Sequence, residues 1–313
     1  MRKIETVSLI GLGAVGAAYG SRLHTALGDS FRVVADDKRI TRYKKEGICV
    51  NGVVQNFHYA TPDTGTAASD LVIFAVKNAE LLQAMEDVKH VIGPDTIIMS
   101  LLNGISSEEE IYSTFHNEHI LHSISVEIDA VRQGNETTFS TLGRIEFGYR
   151  DNSMTDDVLA VKELFERAGI QYRIPDNILH TMWWEFMINV GINQTSAILR
   201  APYGVFQSTS SAYRLVEDAM WEVVALSQQT GVNLSEQDIK SFWPILNNLS
   251  PYGKTSMLQD IEAGRKTEVE FLGGVVCEKG DQYGVSVPVN KQLVRLIEVM
   301  EEMANNDSPS FEE

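Results

Sequence analysis

The chain has 313 residues, more than most single hydrophobic cores hold, so two domains are expected. With 43% hydrophobic and 22% charged residues, the composition is that of an ordinary globular protein, and two cysteines are too few for a disulfide framework. The net charge of −17 disfavours nucleic acids and anionic membranes as partners, because both bind clustered cations.

The first predicted element is a strand at residues 6–10 that ends in a Gly-x-Gly-x-x-Gly turn and opens into a helix. This context turns a weak pattern into a dinucleotide-binding hypothesis, with a chance cluster of glycines as the alternative. The first glycine allows a sharp turn, the second lets the backbone approach a pyrophosphate, and the third lets the helix pack close to the strand. Free N–H groups at the helix N-terminus favour the anion. The residues expected to bind the cofactor here are Gly11, Leu12, Gly13, Ala14, Val15 and Gly16.

A second strand, starting at residue 31, ends in Asp36 and Asp37. In a dinucleotide-binding unit, an acidic residue at this strand tip accepts a hydrogen bond from the ribose 2′-hydroxyl and repels a 2′-phosphate. Either residue suits that role, and either could belong to a solvated turn. Lys38, Arg39 and Arg42 follow closely and could hold a 2′-phosphate instead. NAD is therefore slightly favoured over NADP.

Three further apolar runs, at residues 71–76, 96–102 and 119–125, alternate with helical patterns. This alternation predicts an α/β domain with a Rossmann-type doubly wound parallel sheet. Ligands of such sheets lie beyond the carboxyl ends of the strands. Lys77 and Asn103 follow two of these strands, so both are expected to bind the cofactor rather than to be an ordinary surface lysine and turn asparagine.

The rest of the chain completes this domain and adds a helical one. Shorter segments, antiparallel from about residue 137, extend the first domain, which is expected to cover residues 1–175. Helices are then predicted at residues 182–199, 211–230, 235–249, 256–283 and 290–304. They form an all-helical C-terminal domain for substrate binding and dimerisation at residues 176–304, followed by a polar tail at 305–313. Because the chain shows no signal-peptide pattern and no run of roughly 18 apolar residues, we expect a cytoplasmic protein.

One predicted helix carries a polar row among apolar neighbours. Glu185, Asn189 and Asn193 are spaced four apart, which places them on one broad helix face. Such a row is either a ligand site or a structural network in which the amides bond to nearby backbone groups. The sequence alone leaves both interpretations open.

A second dense stretch surrounds Ser256 and Glu268. Ser256 could be a helix N-cap and nothing more, and Glu268 could belong to a solvated charged face. On one straight helix these two residues would lie about 18 Å apart. They can border one site only if the ligands span that length or the chain bends, and Gly264 is a plausible place for a bend.

Several of these residues together resemble the ketopantoate reductases (2-dehydropantoate 2-reductases). The resemblance covers nearly the whole chain and is most specific in the Ser-Met-Leu-Gln-Asp block at residues 256–260. It rests on the glycine turn, Lys77, Asn103-Gly104, Asn189-x-x-x-Asn193 with Ser196-Ala197, residues 256–260 with Thr267-Glu268, and Gly284-Val285-x-Val287-Pro288.

The resemblance implies a function and a set of roles. That family reduces 2-dehydropantoate with NADPH, in a cleft between a Rossmann domain and a helical domain. By this resemblance, Lys77 and Asn103 contact the cofactor or face the cleft. Asn189 and Asn193 hold substrate hydroxyl or carbonyl groups, Ser256 holds the carboxylate, and Glu268 orients the cofactor ribose or a site water. No metal ion is implied.

Two departures from the family pattern bear on the chemistry. The family's catalytic lysine, the proton donor to the developing alkoxide, lies four residues before the first helix asparagine, and Glu185 stands there in this chain. A neutral carboxylic acid could replace it, and burial favours the neutral form of a carboxyl group. Lys254, which could pair with Glu185, is another candidate donor. Asp36 stands where many members carry an arginine that binds the 2′-phosphate, which again favours NAD.

The first hypothesis is an NAD(P)H-dependent reductase of a small branched 2-keto acid, with Glu185, Lys254 and Glu268 as candidate catalytic residues. A variant of it changes the substrate to another 2-keto acid. The second hypothesis is a catalytically weak relative that binds nucleotide and acts as a sensor or regulatory partner. A methyltransferase interpretation of the glycine turn fits the rest of the chain less well. A homodimer is compatible with all of these.

Overall fold

The computed structural model describes residues 2–62 and 67–305. By its contacts the chain divides into two compact units, Met1–Leu179 and His180–Glu313, whereas the sequence suggested a limit after residue 175. Of the expected polar tail, residue 305 ends the last helix and residues 306–313 lie outside the described residues.

The first unit holds the strands of the described chain. They are β1 (Val7–Ile10), β2 (Phe31–Val34), β3 (Cys49–Val50), β4 (Val53–Val54), β5 (His58–Ala60), β6 (Leu71–Phe74), β7 (Ile97–Ser100), β8 (Ile120–Val126), β9 (Val131–Gln133), β10 (Glu136–Thr138), β11 (Arg144–Gly148) and β12 (Tyr172–Arg173). Its α-helices are α1 (Ala14–Leu27), α2 (Asp37–Glu46), α3 (Leu81–Val88), α4 (Ser107–Phe115) and α5 (Asp156–Ala168).

The main sheet has eight strands in the order β12-β11-β8-β7-β6-β1-β2-β5. The six strands from β8 to β5 are all parallel, whereas β11 runs antiparallel to β8. Val7 of β1 lies opposite Phe31 on one side and Leu71 on the other. The order reverses direction at β1, between β2 and β6, and this switch point is where doubly wound sheets bind dinucleotides.

Successive side chains of these strands point to opposite faces, and both faces are covered. On one face Val7, Leu9 and Val33 pack with residues of α1 and α5. On the other face Ile10 and Val34 pack with residues of α3 and α4. This two-sided burial explains the uninterrupted apolar runs and confirms the predicted doubly wound sheet.

A second sheet, which the sequence did not reveal, has the order β4-β3-β10-β9. Its strands are only two or three residues long. Strands this short show no periodicity that could be recognised in the sequence.

In the described residues of the second unit, all the regular secondary structure is helical, as predicted. Its helices are α6 (Ile178–Leu199, which begins at the end of the first unit), α7 (Tyr203–Ser208), α8 (Ser210–Thr230), α9 (Glu236–Asn248), α10 (Ser256–Glu262), α11 (Gly273–Tyr283) and α12 (Pro288–Asn305). No helix in residues 2–62 and 67–305 is both long enough and apolar enough to span a membrane.

The prediction of one helix over residues 256–283 is wrong. α10 ends at Glu262, and Gly264 follows with a φ of +62°, a left-handed conformation that ends helices. The chain then passes through a short 3₁₀ turn at Val269–Phe271 before α11 begins. Ser256 and Glu268 therefore lie on different elements, so the separation along one straight helix does not apply to them.

Candidate active site

The glycine turn after β1 is tightly packed at its first and third glycines. A Cβ atom at Gly11 would lie 2.5 Å from the carbonyl oxygen of Ala75, and Gly11 itself has a φ of +98°. A Cβ atom at Gly16 would lie 1.9 Å from the carbonyl oxygen of Gly11. Neither position can take a larger residue without moving the backbone.

The second glycine is different, because its surroundings are open. The nearest atom to a Cβ at Gly13, apart from its chain neighbours and its own helix, would be the carbonyl oxygen of Ala75, at 3.9 Å. Gly13 is the N-cap residue of α1, and its helix has no side-chain cap and no acidic residue in the first turn. The first N–H groups of α1 thus retain the capacity to bind an anion, and the bare backbone allows close approach. The turn fits a pyrophosphate.

Asp36 at the tip of β2 serves as the N-cap of α2. Its Oδ1 accepts a hydrogen bond from the backbone N–H of Arg39 at 2.7 Å, and its Oδ2 lies 3.6 Å from the Arg39 Nε. The Arg39 guanidinium also donates to Glu80 at 2.8 Å. The carboxylate predicted to hold a ribose thus also caps a helix, beside a guanidinium that could attract a phosphate.

Lys77 and Asn103 follow β6 and β7 at the carboxyl edge of the sheet, and both side chains are exposed. The buried Asn78 donates from its Nδ2 to the carbonyl oxygen of Asn103 at 3.0 Å. This bond joins the loops that carry the two predicted residues. Sequence reasoning missed Asn78, and its position directly after Lys77 was the available signal.

In the second unit, the polar row on α6 is a chain of side-chain hydrogen bonds. Asn193 donates to Asn189 Oδ1 at 3.2 Å, and Asn189 donates to Glu185 Oε1 at 3.3 Å. Asn193 is buried, whereas Asn189 and Glu185 are half-buried. We call Glu185, Asn189 and Asn193 the α6 polar row. The amides of this row donate to side chains of the row, whereas the neighbouring Gln194 donates to the backbone of its own helix and to Asn290.

Tyr203 of α7 interacts electrostatically with Glu185 of this row, although no site residue is predicted there from the sequence. Burial raises the pKa of the Tyr203 phenol above its usual range, and so does Glu185 in its ionised form. The backbone N–H of Tyr203 donates to the carbonyl oxygen of Gly253 at 2.9 Å. Its ring lies 2.9 Å from the place where a Cβ of Gly253 would be. These contacts hold the turn before Lys254 close to Tyr203.

The N-cap of α10 is Thr255, so the alternative in which Ser256 caps this helix is wrong. Thr255 accepts from the backbone N–H of Leu258 at 3.2 Å and donates to Ser196 of α6, also at 3.2 Å. The cap leaves Ser256 as the first residue of α10 with an exposed side chain.

Lys254 forms its ion pair with Glu262, at 2.7 and 2.8 Å to the two carboxylate oxygens. The sequence suggested Glu185 as its partner. The Lys254 side chain is 43% exposed. Its ammonium group is therefore engaged by a carboxylate in a solvated position.

Glu268 lies half-buried at the start of the 3₁₀ turn, where its carbonyl oxygen accepts from Phe271 N at 3.0 Å. The preceding Thr267 is anchored by Glu301 of α12, which accepts from the Thr267 N–H at 2.7 Å and from its hydroxyl at 2.6 Å. Residues 2–62 and 67–305 contain no group of three or more His, Cys, Asp or Glu side chains that could hold a metal ion.

Comparison with known proteins now identifies the family. The sequence matches "Ketopantoate reductase PanE/ApbA" over residues 7–152 and "Ketopantoate reductase PanE/ApbA C terminal" over residues 177–301. A 2-dehydropantoate 2-reductase from Streptococcus pyogenes is 25% identical over 303 residues, which cover 96% of this chain and 99% of that protein.

Solved structures share the fold. D-mandelate dehydrogenase in complex with NADH aligns with a TM-score of 0.85 at 22% identity, covering 96% of this chain and 100% of that one. A dimeric ketopantoate reductase from Staphylococcus aureus aligns with a TM-score of 0.81 at 19% identity, covering 96% and 99% of the two chains. On the two sequence matches, this chain belongs to the ketopantoate reductase family, NAD(P)-dependent oxidoreductases that act on a CH–OH group.

Proposed function

We propose that this chain reduces the keto group of a small branched 2-keto acid, with 2-dehydropantoate as the first candidate substrate and pantoate as its product. That reaction would place the chain in pantothenate biosynthesis. The observation that carries the proposal is the α6 polar row, in which two amides and the Glu185 carboxyl group are joined by hydrogen bonds on a largely apolar helix. The chain belongs to this reductase family. A buried or half-buried row of amides suits a polar, uncharged group such as a keto or hydroxyl oxygen.

The cofactor is proposed to bind at the glycine turn, with Gly13 against the pyrophosphate and Asp36 at the adenosine ribose. A bound reduced nicotinamide supplies the hydride for the keto carbon. Lys77 and Asn103 at the strand ends, and Glu268, are proposed to contact the cofactor. Asp36 favours NADH slightly, and a preference for NADPH above about tenfold, or about 1.4 kcal/mol, would contradict that assignment.

Glu185 is proposed to hold the proton that the keto oxygen takes up as the hydride reaches carbon. In this reaction the C=O bond becomes C–O, the carbon gains a C–H bond, and the oxygen gains an O–H bond. Glu185 is favoured over Lys254 because it belongs to the α6 polar row, whereas the Lys254 ammonium group is engaged by Glu262. Asn189 and Asn193 would hold the keto and hydroxyl oxygens, and Ser256 the carboxylate.

Two alternatives have specific support. The fold shared with D-mandelate dehydrogenase favours a variant that reduces a different 2-keto acid. Glu185 in the place of the family lysine favours a catalytically weak relative that binds nucleotide as a sensor. The dimeric S. aureus relative supports a homodimer, and the two free thiols, Cys49 and Cys277, suit a reducing cytoplasm.

The test is to mix the purified chain with NADH or NADPH and a panel of 2-keto acids that includes 2-dehydropantoate, and to follow absorbance of the nicotinamide. We expect turnover, fastest with a branched 2-keto acid. Tight nucleotide binding without turnover of any acid would contradict the enzyme proposal. In that case, turnover of 2-dehydropantoate gained by Glu185→Lys would identify a reductase that has lost its proton donor.

A further inference from the structure

Helix α6 is buried along most of its polar row, which begins at the half-buried Glu185. From residue 186 to residue 197, every side chain except that of Asn189 is buried. Such a helix has no exposed face to define which way it is turned, so apolar burial alone specifies its rotation weakly. Hydrogen bonds with fixed donors and acceptors define such an orientation better.

Gln194, next to Asn193, provides hydrogen bonds of this kind. Its Nε2 donates to the carbonyl oxygen of Val190 at 2.8 Å and to Asn290 Oδ1 of α12 at 3.0 Å. Gln194 and Asn290 have no exposed surface. The bond therefore joins α6 to α12 in the interior of the second unit.

Glu222 of α8 fixes the other end of this connection. Its carboxylate accepts from the backbone N–H of Val289 at 2.7 Å, from the N–H of Asn290 at 2.9 Å and from Asn290 Nδ2 at 2.7 Å. The amide of Asn290 must then present its oxygen to Gln194. A negative charge at the N-terminus of α12 is also favourable for the helix dipole.

Gly273 leaves the space that Gln194 needs. A Cβ atom at Gly273 would lie 2.2 Å from Gln194 Oε1, far closer than atoms can approach, and 2.6 Å from Val294 Cγ2. The neighbouring Gly274 has no such conflict, because a Cβ there would meet Val269 O at 3.5 Å and Glu270 Cβ at 3.9 Å. Gly273 is therefore linked to the Gln194 side chain, and Gly274 is not.

We propose that Gln194, Asn290, Glu222 and Gly273 form a positioning cluster that sets the rotation of α6 and so directs Asn189 and Asn193 at the substrate. This inference rests on the proposed function. A rotation of α6 by about 10° moves a side-chain tip about 6 Å from the axis by about 1 Å. A displacement of about 1 Å is enough to impair a reaction strongly when it concerns the groups that orient the substrate.

The first experiment compares Gly273→Ala with its matched control, Gly274→Ala. We expect Gly273→Ala to raise the KM for the keto acid about tenfold, whereas Gly274→Ala changes it less than about twofold. The dissociation constant for NADH, measured by fluorescence titration of the free enzyme, should stay unchanged in both. A merely structural role of Gly273 would lower the melting temperature without moving the KM of the folded enzyme.

The second experiment repeats Gly273→Ala in a Gln194→Ala background. If Gly273 acts through Gln194, the added methyl group then meets only Val294 Cγ2, 2.6 Å from the Cβ position, so the rise in KM should be far smaller than in the wild-type background. Additive effects would overturn the proposal. Gln194→Met, which keeps the volume and removes the hydrogen bonds, should raise the KM by itself and serves if Gly273→Ala does not fold.

The outcomes separate this inference from the proposed function. Wild-type protein that reduces no keto acid would refute the proposed function and the positioning role with it. Wild-type turnover combined with an unchanged KM in both Gly273→Ala and Gln194→Met would refute the positioning cluster alone.

Discussion

Glu185 and Asn189 are joined by a hydrogen bond of 3.3 Å on α6, and most of the residues around them on this helix are apolar. A ketone that receives a hydride develops negative charge on oxygen, which an ionised carboxylate would oppose. The amide of Asn189 can donate to the carbonyl oxygen of a neutral Glu185, whose hydroxyl group carries a proton that a lysine would otherwise supply. This arrangement explains how a carboxyl group could replace a lysine as proton donor.

The first prediction concerns this proton. Glu185→Gln keeps the shape and the acceptor for Asn189 but has no acidic proton, so kcat should fall by about 100-fold or more. Steady-state kinetics with the best keto acid from the panel measures this. The KM for NADH should change little. A variant with wild-type kcat would exclude Glu185 as the donor.

Lys254→Met tests the alternative donor. Because the Lys254 ammonium group pairs with Glu262 in a solvated position, kcat should fall by less than about threefold, the scale of an exposed ion pair. The same assay under the same conditions gives the comparison. Loss of activity in Lys254→Met together with retained activity in Glu185→Gln would assign the proton to Lys254.

At this scale, residue types were predictable but their partners were not. The four-residue spacing placed Glu185, Asn189 and Asn193 on one face because helix geometry fixes that periodicity. The choice of Thr255 over Ser256 as the N-cap depends on where the helix begins, and neighbouring hydroxyls do not reveal that. Tyr203 could not be found in the sequence because its electrostatic interaction with Glu185 exists only in the folded chain.

At the level of the element, different glycines of the turn before α1 are expected to serve packing and cofactor binding. Gly16 lies against the carbonyl of Gly11, whereas Gly13 borders open space. Gly16 should therefore be needed mainly for folding, and Gly13 mainly for binding the anion.

The second prediction follows from that difference. Gly13→Ala should cost less than about 1 kcal/mol of stability, the usual scale of an N-cap change, and yet raise the Kd for NADH about tenfold. Gly16→Ala should instead lower the free energy of unfolding by about 2 kcal/mol or more, because the added Cβ overlaps backbone. Chemical denaturation and fluorescence titration of both variants measure the two quantities. Equal Kd values for wild type and Gly13→Ala would exclude the turn as the pyrophosphate site.

Elements with a long pattern were predicted and short ones were not. The apolar runs of β1, β6 and β7 identified a covered sheet because they are buried on both faces. The predicted helix over residues 256–283 is wrong because Gly264, which the sequence marked only as a place for a bend, adopts a left-handed conformation that ends the helix. The small sheet of β3, β4, β9 and β10 depends on tertiary pairing of very short strands.

For the whole molecule, a buried carboxyl group makes stability depend on pH. Burial raises the pKa of Glu108 from 4.5 to about 7, and hydrogen bonds from Ser107 and Ser123 oppose this only in part. The raised pKa means that the folded state keeps a proton which the unfolded state releases. The stabilisation is thus present below pH 4.5 and is lost as the pH rises through about 7.

The third prediction is that Glu108→Gln removes this dependence. As the pH rises from about 5 to about 8, wild type should lose about 3 kcal/mol of unfolding free energy that the variant does not lose. Urea denaturation across that range measures it, and parallel curves would contradict the prediction. The comparison must be a difference from wild type, because burial lowers the pKa of His122 to about 4 and removes stability as the pH falls from 6.5.

This chain, a member of the ketopantoate reductase family, is proposed to transfer a hydride to the 2-carbon of a keto acid, with Glu185 as the proton donor. The most direct test uses NADH deuterated at both C4 positions of the nicotinamide, with mass spectrometry of the 2-hydroxy acid product. We expect one deuterium bound to C2 of that product. A product without deuterium, or no product from any 2-keto acid while NADH is bound, would contradict it.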